Sequence, residues 1–161
     1  MEDNQYTLEK TVWSDHDFEV MGWKNAYIHA IATIPETFEL LLDIDYIVRW
    51  IDPTPPSNSF TFLVAPATLV FSNVYNVEIH LESQSGEFSI QNLDRLDEQP
   101  TLNGEMKDWL WKFDDEGSLS FRATGYTQYF RRQPILTSFQ QLSFAERGGI
   151  SFSRDAEVYS L

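Results

Sequence analysis

The chain has 161 residues, of which 42% are apolar and 15% aromatic, and a mass of 18.8 kDa; folding buries about 70% of the surface at this size, which suits one domain over residues 1–161 and excludes both disorder and two full domains. Eleven basic residues against 25 acidic ones leave a net charge of −14, and a chain this acidic is repelled by phosphate backbones and anionic lipid, so nucleic acid and membrane surfaces are not expected partners. The absence of cysteine excludes disulfides, thiolate metal sites and cysteine nucleophiles.

The N-terminal Met1-Glu2-Asp3-Asn4-Gln5-Tyr6 has neither the basic nor the apolar region of a signal peptide, and no apolar run reaches the ~18 residues of a membrane span. A cytoplasmic protein is expected. In Trp13-Ser14-Asp15-His16-Asp17-Phe18, His16 with Asp15 and Asp17 offers nitrogen and oxygen donors for a divalent metal. The alternative is an ordinary polar loop.

Ala26–Ile34 is rich in β-branched residues without clean alternation and reads as a buried strand. Pro35-Glu36-Thr37 reads as a turn, followed by a strand through Leu40–Ile47. Asp43 and Asp45, at i and i+2, share one face of that strand, and a solvated face is the expectation. Pro53–Asn58 reads as an exposed loop. Phe60–Val64 and Thr68–Phe71 read as buried strands, with a bulge or bend at Pro66 because proline cannot donate to a ladder. Ser72-Asn73 reads as a turn. Val77–Glu82 and Glu87–Gln91 alternate apolar and polar residues, as half-buried strands do, with Ser83–Gly86 as the turn between them. Asn92–Glu98 has the spacing for one or two helical turns, stopped by Pro100. Trp109–Phe113 and Leu119–Phe121 form a hairpin across Asp114–Gly117. Gly125 bends the long run Leu119–Phe130, and Arg147-Gly148-Gly149 makes a turn. The fold expected is all-β and mainly antiparallel: a curved sheet, barrel or two-layer sandwich with at most one or two short helices.

Charge is unevenly placed. Asp15–Asp52 holds eight acids and two bases, whereas Ser118–Arg154 holds five arginines and one acid. Two readings stand side by side: the late arginines pair with the early acids on the surface, or Arg131, Arg132 and Arg147 form an anion site. Tyr126 and Trp111 are aromatic candidates for the wall of such a site, and otherwise belong to the core. There is no Gly-x-Ser-x-Gly and no glycine-rich phosphate loop, so no catalytic residue is assigned and no cofactor is expected.

Taken together, Trp13-x-Asp15-His16-Asp17-Phe18, Met21-Gly22-Trp23, Asp43–Ile47, Val64–Phe71, Ala123–Tyr126 and Arg131-Arg132-x-Pro134 resemble the pattern of a family of uncharacterised bacterial proteins of about 160 residues. The resemblance spans nearly the whole chain and carries no activity with it. Lys24 follows Met-Gly-Trp here, where that pattern has histidine.

The leading functional expectation is an acidic, non-enzymatic protein-binding module, an immunity-type inhibitor of a basic partner, with Asp15, Asp17, Asp43 and Asp45 on the contact surface. The alternatives are a small-ligand barrel, or an enzyme built on one, with Arg131, Arg132, Arg147, Tyr126 and Trp111 around an anionic ligand, and a metal-dependent hydrolase using His16, Asp15 and Asp17.

Overall fold

The computed structural model describes residues 7–114 and 118–157. Eleven strands follow in chain order: β1 (Val12–Ser14), β2 (Ala26–Ile34), β3 (Glu39–Ile51), β4 (Thr61–Ser72), β5 (Tyr75–His80), β6 (Phe88–Ile90), β7 (Asn92–Pro100), β8 (Lys107–Asp114), β9 (Ser118–Ala123), β10 (Gly125–Phe130) and β11 (Ile135–Thr137). All their pairings are antiparallel. Helical structure among the described residues is limited to two 3-10 turns (Asp15–Val20 and Pro35–Thr37) and one α-turn, α1 (Phe144–Arg147).

Seven strands form a curled half-barrel in the order β1-β10-β4-β3-β2-β6, with β11 on the far half of the β4 edge. Four form a second sheet in the order β5-β9-β8-β7. The two sheets enclose the main core. β3 and β4 supply it by strict alternation: Leu40, Leu42, Ile44 and Tyr46 from one, Ala65, Ala67, Leu69 and Phe71 from the other. From the second sheet come Trp111, Phe113, Leu119 and Phe121. The Phe71 ring lies 4.7 Å from Phe121 and 5.3 Å from Trp111, edge to face, the arrangement that the ring quadrupoles favour.

The irregular positions have specific causes. At His29 the pairing of β2 with β3 slips by one residue, between Ile28↔Ile44 and Ala30↔Asp43. This bulge re-phases the strand, so that Ala26 and Ile28 precede it in the core and Ile31 packs there after it. That is why Ala26–Ile34 shows no clean period of two. Pro66 makes no bulge of its own and pairs in register with Asp45; the slip lies further along, between Ile47 and Arg49. Pro66 is tolerated in a central strand because it falls in the gap between β10 and β11 on the β4 edge. Its carbonyl there accepts from Arg131 N–H, and its own missing N–H would have faced the same gap.

Two sequence expectations are corrected. Asn92–Glu98 is not helical: it lies in β7, which pairs with β8 from Asn92↔Asp114 to Pro100↔Lys107. The spacing of Leu93 and Leu96 imitates a helix, but Leu93 and Arg95 turn to the core side. Arg95 lays its guanidinium 4.6 Å over the Phe18 ring and 5.3 Å over Trp109. Ser83–Gly86 connects β5 and β6, yet these strands belong to different sheets and form no hairpin. The chain passes from one sheet to the other between β9 and β10, and Gly125 opens β10 where a β-carbon would lie 2.6 Å from the Asp15 carboxylate. Of the expected Asp114–Gly117 turn, residues 115–117 lie outside the described residues.

Candidate functional site

The outer face of β3 carries Asp43 and Asp45, both with 0% exposure. The expectation of a solvated acidic face is thus corrected at these two positions, which are covered by the segment following β11. Arg147, on α1, donates from Nη2 to Asp43 Oδ1 (2.6 Å), from Nη1 to Asp43 Oδ2 (2.9 Å) and from Nε to Asp45 Oδ1 (3.0 Å). Arg131, just after β10, donates to Asp43 Oδ1 at 2.8 Å and to the Thr68 hydroxyl at 3.1 Å. Backbone amides complete the shell: Leu142 N–H reaches Asp45 Oδ2 at 2.8 Å and Ser151 N–H reaches Asp43 Oδ2 at 3.0 Å. Two carboxylates and two guanidiniums therefore balance in a site closed to water, as buried charges require.

The sign of the arginine shifts follows from this geometry. Burial pulls Arg147 down, but its hydrogen bonds to Asp43 and the charges of both aspartates outweigh that and hold it above the usual range. Burial holds Arg131 below the usual range, because Asp43 only partly offsets it and Arg147 opposes it.

Local sequence positions the covering segment. Ser143 caps α1 by accepting from Glu146 N–H at 3.2 Å, while Glu146 Oε1 accepts from Ser143 N–H at 3.0 Å. This is a reciprocal capping box. Gly148, at φ 81°, ends the turn in the left-handed conformation that glycine adopts freely. Leu142 drops into a small second cluster with Ile47, Phe62 and Val64.

The proposed sites are thereby redistributed. The acids Asp43 and Asp45 and the arginines Arg131 and Arg147, read as parts of two different surfaces, meet each other. Arg132 lies apart, donating to Glu157 at 2.7 Å and to the Glu146 carbonyl at 2.9 Å. Trp111 and Tyr126 are core neighbours, 5.6 Å apart with perpendicular rings, and the Trp111 indole donates to the Ala123 carbonyl at 3.1 Å. Asp15 and His16 line one surface cavity together, whereas Asp17 accepts from Lys10 at 2.9 Å and from Ser14 N–H at 3.0 Å. Those bonds, the Ser14 amide first, hold Asp17 below its ordinary value. Among the described residues no three His, Asp or Glu side chains converge as a metal would need.

One concavity borders the buried charge cluster. A groove runs between the β2–β6 edge and the covering segment, formed by adjoining hollows of about 280 and 430 Å³ that share Tyr27, Phe88 and Gln141. Its floor is the bulged His29, whose Nε2 lies 2.7 Å from Asp45 Oδ2. The bulge turns the imidazole toward Asp45, and re-aiming a side chain in this way is a common use of such irregularities. The Tyr27 ring lies 4.6 Å from His29, and Phe144 flanks it at 6.2 Å. Glu87 is the one carboxylate in the lining, and no lysine or arginine lines it. Burial first, then the negative charges of Glu87 and Asp45, raise the Tyr27 hydroxyl above its ordinary value. The lining therefore brings three aromatic side chains, amide side chains and a carboxylate to one groove, groups that suit a cation. Sequence reading missed Tyr27, Glu87, Phe88 and Gln141, which come from three separate stretches with no common motif. One local signal, the Ser143-x-x-Glu146 spacing of the capping box that sets one wall, was not singled out in the sequence.

Comparison of the chain with models of known families, with curated proteins and with solved structures gave no match. No described helix is long and apolar enough to cross a membrane.

Proposed function

We propose that the chain is a non-enzymatic binding module for a basic protein, of the immunity-inhibitor kind, and that the Tyr27–Glu87–Gln141 groove receives a lysine or arginine side chain of that partner. The observation that carries this reading is the disposition of charge. Eight of the eleven cationic side chains are paired with the chain's own carboxylates, and the two most buried are enclosed, so the surplus of −14 falls on the exterior. An exterior of net negative charge steers a basic partner and accelerates association. Within it the groove adds shape and aromatic faces without any competing cation.

The test is titration of the purified chain with the product of the adjacent gene and with a panel of small basic nucleases, at 50 and 500 mM NaCl. Binding is expected for one of them, with an association rate falling at least about tenfold over that salt range and lost in Glu87→Lys. Binding indifferent to both salt and Glu87→Lys, or no binding to any of these proteins, overturns the reading.

A further inference from the structure

The floor of the groove carries a ring nitrogen with no partner. The His29 side chain is 9% exposed, and its Nε2 lies 2.7 Å from Oδ2 of the fully enclosed Asp45. The same oxygen accepts from Leu142 N–H at 2.8 Å, so one atom of Asp45 ties the floor of the groove to its Gln141–Leu142 wall. An ionised carboxylate can only accept, and Nε2 must therefore carry a proton. The cluster beneath sets the charge of the ring. Asp43 and Asp45 are already balanced by Arg131 and Arg147, and a third cation enclosed there would have no counter-charge. The imidazole is accordingly neutral, and its Nδ1 is a lone-pair acceptor. Among the described residues Nδ1 has no hydrogen-bond partner, and the only buried side-chain nitrogen or oxygen lacking one is Gln128 Nε2. Nδ1 thus keeps access to the hollow of about 430 Å³ that His29 lines.

An acceptor held in this way selects among cations. One that only neutralises charge and stacks on rings uses Glu87, Tyr27 and Phe144 and leaves Nδ1 idle, whereas one with N–H groups donates to Nδ1 as well. Of the N–H cations, the floor suits an ammonium. A guanidinium is a planar fork matched to two parallel acceptors, and His29 presents one. An ammonium is a compact point charge with three donors on a slender stem. Building on the groove as the site of a basic side chain, we propose that His29 is its specificity-determining residue: Asp45 fixes Nδ1 as an acceptor, and Nδ1 receives a hydrogen bond from the primary ammonium of a lysine side chain. The bulge at His29 is what brings the ring to both Asp45 and the hollow.

Heteronuclear NMR of the imidazole nitrogens in the full chain, near neutral pH, tests this without any variant. The expected result is the Nε2–H tautomer at His29, with the Nδ1 resonance moving as N-acetyl-lysine methylamide is added. The Nζ-trimethyl form of that probe keeps the charge but has no N–H on the cation, and is expected to bind at least about tenfold more weakly. N-acetyl-arginine methylamide is expected to bind more weakly than the lysine probe as well. His29→Gln, whose amide can donate to Asp45 and keeps an oxygen acceptor, retains the preference for lysine over trimethyllysine. His29→Phe, with its fold checked by circular dichroism, loses that preference. A doubly protonated ring or an Nδ1–H tautomer overturns the proposal. So does a lysine probe that leaves Nδ1 unmoved, or one that binds no more tightly than the trimethyl or the arginine probe. A lysine probe that moves Nδ1 when no basic protein binds the chain refutes the protein partner alone. A basic protein that binds through Glu87, beside a lysine probe that leaves Nδ1 unmoved, refutes the role of His29 alone.

Discussion

On one face of β3, Leu40, Leu42, Ile44 and Tyr46 pack into an aromatic core shared by both sheets; on the other, Asp43 and Asp45 hold the segment after β11 in place through Arg147 and two backbone amides, with Arg131 joining them from the end of β10. The apolar face works without direction: its stabilisation scales with the area removed from water. The charged face is all direction, with each donor matched to an oxygen at hydrogen-bond distance. Such a cluster is little better than well-packed apolar side chains when complete, and strongly destabilising when one member is missing. The first face holds the two sheets together, whereas the second fixes where the chain after β11 lies, and so forms one wall of the groove.

Two substitutions separate these roles with the largest effects. Arg147→Met leaves Asp43 and Asp45 short of a partner in a closed site, and a loss of about 3–5 kcal/mol is expected. Phe71→Ala empties the meeting point of four aromatic rings, also at about 3–5 kcal/mol. Hydrogen exchange distinguishes them. Arg147→Met should first deprotect Leu142, Arg147 and Ser151, while Phe71→Ala should lower protection in both sheets together. Equal loss of protection throughout in both variants would erase the distinction drawn between the faces.

Alkali tests the apolar side. Burial raises the Tyr126 and Tyr46 hydroxyls above their ordinary value of 10.0. The unfolded chain therefore loses these protons first, so the stability they contribute is complete below pH 10.0 and is lost as pH rises beyond it. Arg147, held above the usual range between two aspartates, stays charged over the same interval, so the sheets should fail before the covering segment is released. Tyr126→Phe should move the alkaline midpoint, followed by circular dichroism, to higher pH. At neutral pH it should change stability by less than about 1.5 kcal/mol, since only a hydrogen bond to the Met21 sulfur is lost. The smallest effect is expected at Arg132→Ala. Its pair with Glu157 is partly exposed, so chemical denaturation should report a change of about 0–1 kcal/mol, against the far larger loss at Arg147.

Most of the strands were legible because the sheets bury one face and the period of two survives in the residues, as in Leu119–Ala123; Val77–Glu82 shows the same period, yet β5 ends at His80 and leaves Val77 and Ile79 exposed, so the half-buried face expected there is corrected. Asn92–Glu98 was misread because Leu93 and Leu96 fit a helix as well as they fit β7, and only pairing with β8 resolves the ambiguity. The bend expected at Gly125 falls beside it, at Thr124, and the close approach that excludes a side chain at Gly125 comes from Asp15, 110 residues away in the chain. For the charged cluster, composition showed acids early and arginines late, and their meeting was one of two open readings. Its burial was not legible, since a pair such as Asp43 and Asp45 has the same spacing on a wet face as on a covered one.

The sequence by itself determined the class of fold and the anionic balance, because hydrophobic period and net charge are local or additive properties. The tertiary structure decided which of those charges face water. That depends on a segment some hundred residues downstream folding back over β3 to bring Arg147 and two amides to Asp43 and Asp45, and no local pattern encodes where such a segment lands. The same return of the chain encloses Asp43 and Asp45, leaves Glu87 exposed, and shapes the groove on which the proposed function rests.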